Sequence, residues 1–148
     1  MQTHPRSRVR QRHSATCLVV HLVWATHRRD DLIAEVSDRW FAAVFDRIVR
    51  EVGCVLLAAG NASDHVHVLA RYPASLPVSE LARRLKGASS YAWNAERSSS
   101  HVRLAWQSGF WAGSVSPSET PRLTRYVREQ RAHHRDHGLP EPWLAARS

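Results

Sequence analysis

Two groups of residues in this chain have the types and the spacing for chemistry. The first is His65-Val66-His67. On a β-strand successive side chains alternate between faces, so both imidazoles point the same way, about 6.5 Å apart along the strand. Two neutral imidazoles at that spacing can converge on one metal ion, although two ligands do not complete a site. The plainer alternative is a pair of satisfied or solvated histidines. Asp64 stands immediately before the pair. It can accept a hydrogen bond from an imidazole N–H and fix its tautomer, or it can serve only as a turn residue.

The second group lies in RYVREQRAHH, where Tyr126 and Gln130 are four residues apart and share one face of a helix. His133 and His137 fall on the same face. Such a stripe makes a poor core, and a polar, solvated helix face is its plain alternative. The two groups gain meaning together. A metal held by His65 and His67 needs a third ligand, which an amide oxygen on a neighbouring helix can supply. Tyr126, one turn earlier, then sits beside the metal. A phenol is a weak nucleophile at neutral pH because its unperturbed pKa is near ~10. A nearby cation favours the phenolate and polarises a phosphoryl oxygen, and attack on DNA would give a phosphotyrosine and a free 3′-OH. Tyr91 is the rival nucleophile, but Ser89, Ser90 and Trp93 supply no amide or acid at helical spacing.

The elements that must hold these residues follow from periodicity. TCLVVHLVWA, from Thr16 to Ala25, is β-rich and apolar and predicts a buried central strand. Val36, Trp40, Val44, Ile48 and Val49 predict an amphipathic helix over 36–51, capped by Ser37 or Asp38. Cys54 to Ala59 and His65 to Arg71 predict a hairpin, with Gly60-Asn61 as the turn signal. Val78 to about Glu96 reads as a second helix, and Val102–Trp106 with Phe110–Val115 as a further strand or hairpin. A last helix is expected from about Arg122 to His137, stopped by Gly138 and Pro140. The order β-α-β-β-α-β-α implies an α+β fold: a ferredoxin-like split βαβ arrangement, an antiparallel sheet with helices on one face, and the tyrosine on the C-terminal helix.

Charge narrows the partners. The chain of 148 residues has 21 Lys+Arg against 13 Asp+Glu, a net charge of +8, and a pI near 10.9. Lys86 is the only lysine. This balance favours a polyanion, with nucleic acid ahead of a membrane surface. Arginine suits bidentate phosphate contact and stacking on bases. At 43% hydrophobic residues the composition excludes wholesale disorder, and no apolar run approaches the roughly 20 residues that span a bilayer. Cys17 and Cys54 lie in apolar runs, against a disulfide framework. The expectation is a cytoplasmic bacterial protein, on the nucleoid when it acts. Residues 1–15, with Arg6, Arg8, Arg10 and Arg12, read as a basic flexible arm, 16–138 as one domain and 139–148 as a tail. Arg28, Arg29, Arg83, Arg84, Lys86, Arg122 and Arg125 are the candidate DNA contacts. A solvated charged face is the alternative for each.

From HLVWATHRR through DHVHVLA and LKGASSY to FWAGSVS and YVREQ, the chain resembles the IS200/IS605-family single-tyrosine (HUH, Y1) transposases, in the family's order and spacing over about residues 16–131. The resemblance implies an enzyme that cleaves and rejoins single-stranded DNA at hairpin-marked element ends through a transient 5′-phosphotyrosine. It implies Mg²⁺ or Mn²⁺ as cofactor, with no organic cofactor, and His65, His67 and Gln130 as metal ligands, with Tyr126 as nucleophile. It also implies a homodimer whose sheets join, often with the tyrosine of one subunit serving the histidines of the other. The arm before Thr16 exceeds the minimal family core, and His27-Arg28-Arg29-Asp30-Asp31 brings acid to the expected DNA surface. His133-His134 resembles repeat-associated relatives. A non-catalytic, domesticated or repeat-associated hairpin-binding relative is the alternative.

Overall fold

In the computed structural model, which describes residues 14–132, four strands and the first two of three α-helices form two interlocked split β-α-β units. The strands are β1 (Val19–Ala25), β2 (Val55–Asn61), β3 (His65–Arg71) and β4 (Trp111–Val115). The helices are α1 (Asp38–Glu51), α2 (Val78–Glu96) and α3 (Thr120–Arg128). The sheet order is β2-β3-β1-β4, antiparallel at every pairing. β1-α1-β2 leaves a gap that β3 fills, and β3-α2-β4 leaves a gap that β1 fills, which is the ferredoxin-like pattern the sequence predicts. No helix among the described residues is long and apolar enough to cross a membrane.

β1 is buried along its whole length because both of its faces are covered. Val20, Leu22 and Trp24, with Val66, Val68 and Ala70 of β3, form the larger core under α1 and α2. α1 contributes Phe41, Phe45, Ile48 and Val49, and α2 contributes Leu81, Ala82 and Leu85, each set at helical spacing. The expectation of helices on one face holds for α1 and α2. α3 lies on the other side, where Val127 is buried with Val19, Ala58 and Leu69 and Leu123 packs against them. The second face is apolar at these positions, so a helix must cover it.

Three boundaries differ from the periodicity reading. Gly60 and Asn61 continue β2, opposite His67 and Val66, and the hairpin closes beyond them, where Ala62 N–H donates to His65 O at 3.0 Å. Residues 102–105 form no strand. The side chain of Asn94 holds Leu104 instead, its Nδ2 donating to the carbonyl at 3.0 Å and its oxygen accepting from the amide at 2.8 Å. Trp106 makes only an isolated bridge to Thr26. The last helix breaks at Glu129 (φ −98°, ψ 23°), and helical structure resumes at Gln130. The expected capping by Ser37 is absent as a side-chain hydrogen bond. The arm expected over 1–15, apart from its last two residues, His133, His134, His137 and the C-terminal tail lie outside the described residues.

Candidate active site

Register decides which side chains meet. In the antiparallel pairing of β1 with β3, Val23 faces His67 and Ala25 faces His65, so the two histidines share the sheet face that α3 covers. Both are fully buried. Their ring centroids are 5.1 Å apart and inclined by 64°. The strand reading of H-x-H is therefore correct in direction, and its solvated alternative is excluded by burial.

Each imidazole is held at its Nδ1. For His65 the partner is Asp64 Oδ1 at 2.8 Å, and Asp64 Oδ2 in turn accepts from Arg29 Nε at 2.8 Å. Burial pushes the Asp64 carboxyl pKa up, but hydrogen bonds and charge from His65 and Arg29 outweigh it and hold it down at about 2. Asp64 is thus an ionised acceptor across the physiological range, and its hold on His65 Nδ1 orients that ring with Nε2 on the far side. For His67 the partner is His21 Nε2, at 2.8 Å. Neither the Arg29 link nor the His21 contact is visible in motif spacing. The signal for His21 is its position in an apolar strand, two residues from Val23 and hence on the histidine face.

α3 brings the other group. The Tyr126 ring lies 6.0 Å from the His67 ring, edge to face at 84°, within one chain. Gln130, past the break at Glu129, turns inward and is buried. Its Nε2 donates to Tyr126 O at 3.1 Å, which fixes the amide orientation. Its Oε1 is buried and has no hydrogen-bond partner among the described residues. A buried orphan acceptor costs about 1–3 kcal/mol, so this oxygen calls for a donor or a cation.

Gly60 makes this approach possible. A Cβ there would run into the Val127 carbonyl group, with the carbon at 2.8 Å, and would meet Gln130 Cγ at 3.2 Å. Since Gly60 is opposite His67, its bare backbone is the floor on which α3 brings Gln130 toward the histidines. Arg131 secures the far side, with Nε donating to Asp38 Oδ2 at 2.7 Å and Nη2 to Asp38 Oδ1 at 2.8 Å and Ile33 O at 3.0 Å. No group of three His, Cys, Asp or Glu side chains among the described residues could hold a metal. The side chains on this face that could hold a divalent ion are the two imidazoles and the orphan amide oxygen, a mixed nitrogen and oxygen set.

The candidate DNA contacts are scattered. Arg28 is exposed in a left-handed conformation (φ 58°), followed by Arg29 in the same region (φ 59°). Arg83 pairs with Glu80 and Arg84 with Glu51, at 2.9 and 3.6 Å, on the helix layer across the sheet from the histidines. Lys86 Nζ donates to Gln107 O at 2.8 Å and Gly109 O at 2.7 Å, so it staples the loop before β4. Arg122 pairs with Glu119, and Arg122 and Arg125 are exposed on α3. Tyr91, the rival nucleophile, is 78% exposed on α2, on the layer away from the histidine pair.

The fold has known counterparts. A solved structure of a candidate transposase from Deinococcus radiodurans R1 is similar with a TM-score of 0.66 and 21% identity, over 81% of this chain and 95% of that one. The structure of a REP-associated tyrosine transposase bound to a REP hairpin is similar with a TM-score of 0.60 and 13% identity, over 90% of this chain and 74% of that one. At these identities the likeness is one of fold. No curated protein matches the chain. The family model described as "Transposase IS200 like" matches residues 14–130, which include His65, His67, Tyr126 and Gln130, and the chain belongs to that family.

Proposed function

We propose that this transposase cleaves and rejoins single-stranded DNA through Tyr126. The observation that carries the reading is the placement of the Tyr126 ring 6.0 Å from His67 in the same chain, with the orphan Oε1 of Gln130 buried one turn away. Tyr126 Oη attacks a backbone phosphorus as its proton leaves to solvent. The new bond is Oη–P, the broken bond is P–O3′, and the upstream strand departs with a 3′-OH. The downstream strand stays attached as a 5′-phosphotyrosine. Attack by a 3′-OH on that linkage reverses the step and releases the tyrosine, so no external energy is needed for joining.

His65, His67 and Gln130 would hold Mg²⁺ or Mn²⁺. When bound, such an ion supplies charge neutralisation at the phosphoryl oxygens and favours the phenolate. Asp64 and His21 orient the two imidazoles, and Arg131 with Gly60 keeps the α3 end in place. The exposed Arg122 and Arg125, on the helix of the nucleophile, can lie along a DNA backbone. A hairpin-bearing strand is the substrate that the resemblance and the hairpin-bound structural neighbour support. The place of Tyr126 beside its own chain's histidines supports a site assembled within one subunit, with the expected homodimer still the assembly that acts on DNA.

The test is a denaturing gel with hairpin-bearing single-stranded DNA labelled at its 3′ end, in Mg²⁺ or Mn²⁺. The expected result is a labelled protein band that chelation prevents and that Tyr126→Phe abolishes while hairpin binding survives. An undiminished band in Tyr126→Phe would falsify the assignment, and cleaved DNA without any protein-linked label would point to water as the nucleophile.

A further inference from the structure

We propose that His21 is a positioning residue that sets the tautomer of His67, so that its Nε2 faces the metal with a lone pair. The assignment rests on the reading of His67 as a metal ligand. His21 sits on β1, which contributes no residue to the proposed nucleophile or ligand set. Its Nε2 is 2.8 Å from His67 Nδ1, and the two rings are stacked, with centroids 5.0 Å apart and planes inclined by 22°. His67 and His21 are both buried. Only one proton can lie between two imidazole nitrogens, so the contact has two versions. If neutral His67 donates from Nδ1–H, its Nε2 carries no proton and can ligate. If His21 Nε2–H donates, neutral His67 carries its single proton on Nε2 and cannot. Ligation therefore requires His21 as the acceptor, with its own proton on Nδ1.

The surroundings make this bond matter. Trp111 of β4 stands edge-on to the His21 ring with centroids 5.3 Å apart. It lies back over Gly113, the residue directly opposite His21. A Cβ at Gly113 would clash with the indole, with Cζ2 at 2.9 Å, so the glycine is what lets the indole lie against the His21 ring. A hydrogen bond closed off by an indole and by the sheet is stronger than one in water, and its loss is correspondingly costly. His65 has the parallel device in Asp64, but an imidazole differs from a carboxylate. It can accept the hydrogen bond without placing a negative charge beside the proposed ligand.

The test reads the tautomer directly. In metal-free, ¹⁵N-labelled protein, long-range ¹H–¹⁵N spectra distinguish Nδ1–H from Nε2–H imidazoles. Wild-type His67 is expected as Nδ1–H, and in His21→Phe it should shift toward Nε2–H. Mn²⁺ affinity, followed by electron paramagnetic resonance, should weaken 10- to 100-fold, in the range for loss of a ligand's hydrogen-bond partner. His21→Gln, whose side-chain oxygen can accept from His67 Nδ1, should restore most of the affinity and the tautomer. Because His21→Phe can disturb the sheet, the Gln variant keeps the test decisive: Gln and Phe variants that behave alike overturn the proposal. An unchanged His67 tautomer in His21→Phe, or a wild-type His67 protonated on Nε2, also overturns it. Wild-type protein with the expected tautomer but no Mn²⁺ binding would overturn the metal reading while upholding His21 as the group that sets His67.

Discussion

Gly60 and Val127 approach so closely that β2 and α3 meet backbone to backbone: a Cβ on Gly60 would fall against the Val127 carbonyl group, whose carbon would be 2.8 Å away. Val127 is buried between Tyr126 and the segment that carries Gln130. Nothing flexible lies in that contact, so a side chain at position 60 must displace the helix. Gly60→Ala is therefore expected to destabilise the protein by about 1–3 kcal/mol, as overpacking of a tight site does, and to lower metal affinity and adduct formation more than hairpin binding. Thermal unfolding together with the adduct assay checks this. A variant with wild-type melting and wild-type adduct would mean that α3 does not depend on the glycine.

The proximity of Tyr126 to His67 within one chain makes a prediction about assembly. If each chain completes its own site, mixing Tyr126→Phe with His67→Ala protein cannot restore the adduct, since each chain lacks one half. Should the mixture form adduct at a good fraction of the wild-type level, the tyrosine is exchanged between subunits. Titrating one inactive variant into wild type gives the same answer from the slope of the inhibition.

Asp64 links His65 to Arg29, and the two contacts differ in weight. Asp64 Oδ1 is 2.8 Å from a fully buried imidazole nitrogen, whereas the Arg29 side chain is 42% exposed. Asp64→Asn should weaken Mn²⁺ binding about 10- to 100-fold, as for a lost ligand partner. Arg29→Gln removes an ion pair with one exposed partner, worth at most about 1 kcal/mol, and should change metal affinity less than 10-fold. Calorimetric titration with Mn²⁺ separates them. Equal losses would show that Arg29 acts on the metal site and not only on Asp64.

The parts of the site that lie along one segment are legible in the sequence, because strand and helix periods place residues two and four apart on one face. His65 with His67 follows from alternation, and Gln130 reaches back to the Tyr126 backbone as a four-residue spacing allows. The second layer is not legible in that way. His21 meets His67 across a ladder whose register is set by the pattern of both strands, and 46 positions separate them. Gly60 reads locally as a turn residue and acts as a close-approach residue. The break at Glu129 carries no glycine or proline, so a continuous helix is the natural expectation; Arg131 reaches Asp38 just beyond it. Among the candidate phosphate contacts, Lys86 shows the same limit: a cation in a polar helix reads as solvated, but two carbonyls from a distant loop hold it.

Arg131 and Asp38 fasten the segment after Gln130 to the first residue of α1 through two hydrogen bonds, with a third from Arg131 to Ile33 O. The pair is only partly exposed, at 18% and 36% for the two side chains, and the Asp38 carboxylate holds the guanidinium pKa above its ordinary value. Asn61 Nδ2 also donates to Asp38 Oδ1 at 3.1 Å, so the aspartate joins β2, α1 and the end of the tyrosine segment. Arg131→Met keeps the aliphatic stem but removes every donor. It should cost about 1.5–3 kcal/mol, the range for hydrogen bonds to a charged group, and loosen Gln130 relative to the histidines. Asp38→Asn should cost less, because its side chain can still accept from Arg131. In a double-mutant cycle the two losses should be less than additive, since one variant removes and the other weakens the same contact. Full additivity in thermal unfolding would show that Arg131 draws its effect from Ile33 and not from Asp38. Metal affinity measured on the same variants then tells whether the anchor serves the site or only the fold.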